Sequence, residues 1–338
     1  MPRARRVAVG TDLDVASAIK AIDGASQIWL ACHIRPDADA LGSMLAFAVA
    51  LERQRPGVLA GASFGDDPFT VPGILHFLPG QEALRRPAEC PPEPELMITF
   101  DAASIDRLGL LAGPAAAAGA LVVLDHHASN TGFGSVNLVD PAAAATAVVA
   151  AGLIDAMGIT LTQDIALGLY AGLVTDTGCF KFSATTPAVH ELAARLLATG
   201  IDPGAVSREL YDRAPFGYLR MLSAATGRAV LEPAASQGLG VVWTTVTRAD
   251  RARAGLPLEA AESVIDVVRK TDEAEVAVVL KEADDGQWQA SVRSKSVVDV
   301  GAACTALGGG GHARAAGFSF SGHAGEAVAA LLRELDRQ

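Results

Sequence analysis

The stretch QIWLACHIRPDADALGS, Gln27 to Ser43, decides the fold. Gln27–Cys32 (QIWLAC), apolar after its first residue, reads as a buried strand. A polar loop follows at once, and an Ala- and Leu-rich run predicts a helix over Asp39–Gln54. Strand, polar loop and helix make the opening of an α/β unit. The unit recurs downstream. Glu95–Phe100 (ELMITF) and Ala120–Leu124 (ALVVL) read as two more buried strands, and Ala142–Met157, Gln163–Val174 and Thr186–Thr199 as helices. The alternation predicts a parallel sheet with helices on both faces.

Each strand end carries polar residues. His33, Asp37 and Asp39 follow the first, Asp101 the second, and Asp125, His126 and His127 the third. In open α/β sheets, ligands bind beyond the carboxyl ends of the strands. Pro36 fixes its own φ and disfavours helix at Arg35, so the first cluster sits on a shaped loop. Each member also has a bland reading. Asp39 could cap the helix that follows it. Asp101 could be a turn residue, and Asp176, in VTDTG, a turn or cap. Two adjacent histidines behind Asp125 could be one core and one surface residue. Together the five carboxylates and three histidines suit two divalent ions sharing one carboxylate. A set of imidazoles and carboxylates without thiolates suits Mn²⁺ or a similar first-row ion.

The chain has 338 residues, of which 50% are hydrophobic and 19% charged, with a net charge of −11. Length and hydrophobicity predict two domains with sizeable cores. The acidic balance argues against long nucleic acid, which needs a surplus of basic groups to displace counterions. The cysteines Cys32, Cys90, Cys179 and Cys304 form no C-x-x-C pair, so neither a zinc knot nor a disulfide framework is expected. Cys32 and Cys179 are read as core residues. The basic start, MPRARRVAVGTD, lacks the apolar stretch of a secretory signal, and no apolar run reaches membrane-spanning length uninterrupted. A cytoplasmic protein without membrane association is expected, with a homodimer compatible with the sequence.

Composition shifts near Gly200. Strands are predicted at Gly238–Val246, Val276–Ala283 and Trp288–Ser294, and helices at Ala260–Lys270 and Ala324–Arg337, giving a second, smaller α/β domain. Its most distinctive run is LGGGGH, Leu307 to His312. Four glycines read as backbone opened to a ligand, with N–H groups directed at an anion, rather than as packing. A flexible loop is the alternative. Arg293 and Lys295 would share one strand face and form a phosphate clamp, or a solvated edge.

The ordered runs HIRPDADALGS, FDAAS, LDHHASN and LVTDTG resemble the four motifs of the DHH phosphoesterases, and GGGGHARAAG resembles the glycine-rich motif of their associated C-terminal domain. The match spans nearly the whole chain, and its domain pairing is similar to the bacterial nanoRNase group of oligoribonucleases and 3′-phosphoadenosine-5′-phosphate (PAP) phosphatases. The resemblance implies a DHH domain over 1–204, a helical linker over 205–227 and a substrate-binding domain over 228–338, with the active site in the cleft between the domains. It implies that His33 and Asp37 hold one metal, that Asp39, His126 and Asp176 hold the other, and that Asp101 bridges both. It gives Asp125 the orientation of a histidine and His127 a place facing the scissile phosphate. Arg293, His312 and Arg314 would hold substrate phosphates or ribose on a loop carried by Gly308, Gly309, Gly310 and Gly311.

The cofactors expected are two divalent ions, Mn²⁺ foremost, and the partners short RNA or small nucleotides such as pApA. Competing readings are a cyclic di-AMP phosphodiesterase, a family-II type pyrophosphatase, a RecJ-type single-strand exonuclease and a non-catalytic nucleotide-binding regulator. A pyrophosphatase would carry a different basic motif in place of the GGGH run. An exonuclease of that type is usually much longer. A regulator would not need both metals.

Overall fold

A computed structural model describes residues 12–337. The basic N-terminal stretch up to Thr11, with the expectation about a secretory signal, lies outside them. The chain divides into two compact units, with the boundary between Arg213 and Ala214.

The first unit is built on a five-stranded, all-parallel sheet of order β2-β1-β3-β4-β5. Its strands are β1 (Ile28–Cys32), β2 (Leu59–Phe64), β3 (Leu96–Phe100), β4 (Ala120–Asp125) and β5 (Val136–Val139). Three of these are the predicted strands. The edge strands β2 (LAGASF) and β5 (VNLV) are not predicted, because small and polar residues break the apolar run in each. Both sheet faces are buried. Leu30, Ile98, Phe100 and Leu124 enter the main core, while Trp29, Ala31, Met97 and Val123 fill a smaller one behind.

The helices are α1 (Asp12–Gly24), α2 (Ala38–Gln54), α3 (Ala112–Ala117), α4 (Thr146–Ala156), α5 (Gln163–Asp176), α6 (Pro187–Leu197) and α7 (Pro203–Tyr211). Helices α2 and α5 pack backbone to backbone. A Cβ on Gly42 would lie 2.5 Å from the Gly168 carbonyl oxygen, and one on Gly168 would lie 2.6 Å from that of Gly42. A Cβ on Gly172 would lie 2.6 Å from Asp39 Oδ1. Side chains there would force the helices apart, and with them Asp39 and Asp176.

The second unit holds a six-stranded mixed sheet of order β10-β11-β9-β8-β7-β6, formed by β6 (Val230–Glu232), β7 (Val241–Val246), β8 (Val276–Glu282), β9 (Trp288–Ser294), β10 (Gly310–His312) and β11 (Ala315–Phe320). Strands β7 and β8 are parallel and the other pairs antiparallel. Val276, Val278, Leu280 and Val292 face one core, and Ala277, Val279 and Val242 the other. The region expected as a helical linker forms α7, in the first unit, and α8 (Phe216–Thr226), in the second. The helix predicted over Ala260–Lys270 is two short turns, Leu258–Ala261 and Val264–Val268. No helix of the described residues is long and apolar enough to cross a membrane.

Candidate metal centre and substrate-binding strand

Strand order reverses between β1 and β3, since the chain leaves β1 for β2 on one side and returns to β3 on the other. This switch point is where open α/β sheets bind ligands. His33 follows β1, Asp101 follows β3, and Asp125 closes β4. Asp37 is the N-cap of α2, its Oδ1 accepting the Asp39 and Ala40 amides at 3.0 Å each. The cap of that helix is therefore Asp37, and Asp39 lies inside its first turn.

Asp101 is buried, and its two oxygens face opposite ways. Oδ2 lies 3.4 Å from His33 Nε2, and Oδ1 lies 3.5 Å from His126 Nε2. His33 Nε2 is also 3.8 Å from Asp37 Oδ2, and His126 Nε2 is 3.3 Å from Asp176 Oδ2. Two donors held ~2.1 Å from one ion lie about 3.0–3.4 Å apart in octahedral or tetrahedral geometry. These separations fit two neighbouring cations with Asp101 between them. The ligand-atom groups His33–Asp37–Asp101 and Asp39–Asp101–His126 are each compact enough for one ion.

The surroundings orient the donors. His33 Nδ1 lies 2.8 Å from the Ile34 carbonyl and His126 Nδ1 3.3 Å from that of Ala143. In that tautomer each Nδ1–H donates and Nε2 keeps its lone pair. Asp39 accepts the Thr146 and Ala147 amides at 2.6 and 2.9 Å and the Ser43 hydroxyl at 3.2 Å, which leaves one of its roughly four lone-pair sites open. The Thr146 hydroxyl donates to Asp101 Oδ1 at 2.8 Å.

The electrostatics call for positive charge. Burial alone would lower the His33 imidazole, but Asp101 and Asp37 hold it well above its usual value. Burial likewise opposes an upward shift at His126 that Asp176, Asp39 and Asp101 impose. Burial pushes the Asp39 and Asp176 carboxyls up, and neighbouring carboxylates add to it. Burial would raise Asp101 too, yet His33, His127 and His126 hold it well below the carboxylate range. Carboxylates crowded this closely repel one another, and positive charge between them would relieve that repulsion. Burial raises the neighbouring Cys32 thiol well above its usual value, which keeps it a packed, neutral thiol. Cys179, expected in the core, is exposed and lies in a left-handed turn with Gly178 and Phe180.

His127 is fastened differently. Its Nδ1 lies 2.7 Å from Asp125 Oδ1, and Asn130 Nδ2 donates to Asp125 Oδ2 at 2.6 Å. Asn130 and Thr146 are the site residues that the sequence reading missed. Asn130 stands in the LDHHASN run, whereas nothing local marks Thr146.

In the second unit the strand register sets His312 opposite Ala315, and Ala315 opposite Arg293. Paired residues share a sheet face, so His312 and Arg293 flank a floor of Ala315, Gly317 and Gly310. Burial lowers the Arg293 guanidinium, against the pull of Asp266 and Glu262. Arg314, in the hairpin turn, donates to the Val298 carbonyl at 2.7 Å. Lys295 lies beyond β9, its ammonium on the Thr271 carbonyl at 2.5 Å, so it does not share a strand face with Arg293.

Packing does explain most of the glycine run, contrary to expectation. Gly308 (φ +79°) ends the helix Val300–Ala306 in the left-handed conformation. A Cβ on Gly309 would lie 2.1 Å from the Gly317 carbonyl oxygen, and one on Gly311 would lie 2.5 Å from that of Ala315. At Gly310 a Cβ would meet nothing within 4 Å, so fold geometry makes no demand for glycine there.

Residues 27–173 match the DHH family, N-terminal domain, and residues 241–338 the DHHA1 domain. The fold, the carboxylate–histidine centre and these two matches define one class: the chain belongs to the DHH family. It is 33% identical over 91% of its length, and 88% of the other chain, to the bifunctional oligoribonuclease and PAP phosphatase NrnA of Thermus thermophilus. It is 25% identical, over 84% of its length and 86% of the other, to the probable bifunctional oligoribonuclease and PAP phosphatase NrnA of Streptococcus mutans. The crystal structure of an exopolyphosphatase-related protein from Bacteroides fragilis has the same fold, with TM-score 0.86 at 21% identity, covering 97% of this chain and 96% of that one.

Proposed function

We propose that this chain is a two-metal phosphoesterase that hydrolyses short oligoribonucleotides, dinucleotides such as pApA included, to mononucleotides, and PAP to AMP. The observation that carries the reading is the divided Asp101 carboxylate, with one oxygen toward His33 and the other toward His126. A binding protein has no need of such a bridge. The substrate assignment rests on the relatives named above.

Two divalent cations, Mn²⁺ by the donor chemistry, would supply a water of lowered pKa and neutralise charge on the phosphoryl oxygens. His33, Asp37 and Asp101 hold one, and Asp101, Asp39, His126 and Asp176 the other. His127, with Nδ1 tied to Asp125, offers Nε2 to the phosphoryl group or leaving oxygen. Arg293, His312 and Arg314 bind substrate phosphates or the terminal ribose, on the strand that Gly309, Gly310 and Gly311 shape. Few phosphate contacts and a net charge of −11 favour substrates of about two to five nucleotides.

The test is turnover of an RNA length ladder, PAP and cyclic di-AMP, each with Mn²⁺ and with EDTA. Metal-dependent cleavage of the short RNAs and PAP, falling steeply with length, is expected. Equal or rising efficiency towards twenty-nucleotide strands, or cyclic di-AMP as the preferred substrate, would refute the assignment.

A further inference from the structure

The loop that carries His33 and Asp37 contains a strained residue. Arg35 has φ +52°, a left-handed conformation rare for any residue but glycine. Its amide donates to Asp66 Oδ2 at 2.6 Å. Asp66 lies just past β2, the strand beside β1, and belongs to none of the metal-facing groups described above. The neighbouring Ile34 amide is held by the Arg107 carbonyl at 2.9 Å, and the Leu110 amide by the Gly65 carbonyl at 3.1 Å. A Cβ on Gly109 would lie 2.4 Å from Ile34 Cγ2, so this wall presses directly on the loop. The left-handed step at Arg35 turns the chain back, so that His33 Nε2 and Asp37 Oδ2, four residues apart, face each other at 3.8 Å.

We propose that Asp66 is a positioning residue for the metal centre: its carboxylate captures the Arg35 amide, holds the loop in its strained turn, and so sets His33 and Asp37 to converge on one cation. The strain persists because a neighbouring element over-determines it, as strained residues at functional sites require. The bond from the strained amide to the carboxylate is charge-assisted, and such bonds are stronger than neutral ones. The proposal rests on the two-metal reading above, and the test separates the two.

Full-length protein is stripped with EDTA and titrated with Mn²⁺ by calorimetry and electron paramagnetic resonance, with thermal melts alongside. Asp66→Ala should weaken Mn²⁺ binding about tenfold or more, as loss of an outer-shell support does. Asp66→Asn keeps a neutral acceptor and should fall between wild type and Asp66→Ala. Arg35→Gly removes the strain, so Asp66→Ala combined with Arg35→Gly should recover most of the affinity. Failure of the wild-type chain to take up Mn²⁺ would remove the metal reading itself. Two ions bound by wild type and equally tightly by Asp66→Ala would overturn the positioning role alone. So would an affinity that Arg35→Gly does not restore, since a merely structural role lowers the melting temperature without that rescue. Should Asp66→Ala not fold, the paired variant decides: affinity near wild type supports the role, and its loss overturns it.

Discussion

The carboxylate of Asp39 accepts the backbone amide of Thr146 at 2.6 Å, across 107 residues of chain. Helix α4 begins behind Ala145, which supplies no capping side chain. Asp39 takes that role from helix α2, accepting the Ala147 amide as well at 2.9 Å. A carboxylate at a helix N-terminus satisfies orphan amides and complements the helix dipole. The same residue thus ties two helices together and sets its carboxylate beside Asp101 and His126 in the candidate metal centre. Thr146 completes the link through its hydroxyl on Asp101.

Thr146→Val keeps the shape and the amide but removes the hydroxyl. The variant should lose about 1 kcal/mol of stability, the worth of one hydrogen bond. It should also bind Mn²⁺ more weakly, by about tenfold. Calorimetric titration against wild type checks this, and unchanged affinity would exclude a role for the hydroxyl in orienting Asp101.

Asp101→Ala removes the carboxylate that faces both histidines. Turnover should vanish, and bound metal per chain, measured by plasma emission on dialysed protein, should fall. Near-normal activity would remove Asp101 from the centre.

Asp125→Asn places an amide where the two carboxylate oxygens serve different donors, His127 Nδ1 at 2.7 Å and Asn130 Nδ2 at 2.6 Å. Either Asn130 then meets an amide donor, or His127 switches to the tautomer in which Nδ1 accepts, which leaves Nε2 carrying the proton. The expected outcome is kcat lowered about 100-fold or more with Mn²⁺ content unchanged. A fall in metal content as large as the fall in rate would instead make Asp125 part of the metal shell.

His312→Ala tests the strand across from Arg293. KM for short RNA should rise while metal content holds. Loss of bound metal in this variant would contradict a substrate-binding role.

Asp250 gives the second unit a pH signature. Burial would raise its carboxyl, but the Thr247 hydroxyl and amide, with Arg228 and Arg253, hold it well below the carboxylate range. A depressed carboxylate contributes stability that is present above its unfolded pKa of about 3.9 and lost as pH falls through the folded value. Asp250→Asn should therefore lower the melting temperature at pH 7, with the deficit shrinking below about pH 4. A deficit independent of pH would show that shape, not charge, holds Asp250 in place.

The sequence by itself determined the strands β1, β3 and β4 and the polar residues at their ends, because an unbroken apolar run has few other places to go. It also carried the DHHAS and GGGGHARAAG patterns, whose chemistry is local. It could not carry β2 and β5, whose apolar runs are broken by small or polar residues. Nor could it assign the caps: Asp37 caps its own helix, while Asp39 caps one that begins 107 residues later. Tertiary structure alone decided which way the Asp101 oxygens point and that Thr146 and Asn130 support the centre. It also decided that Gly309 and Gly311 answer to neighbouring strands. Each of these depends on backbone approaches between distant segments, such as Gly42 against Gly168, and a distance between segments exists only once the chain has packed.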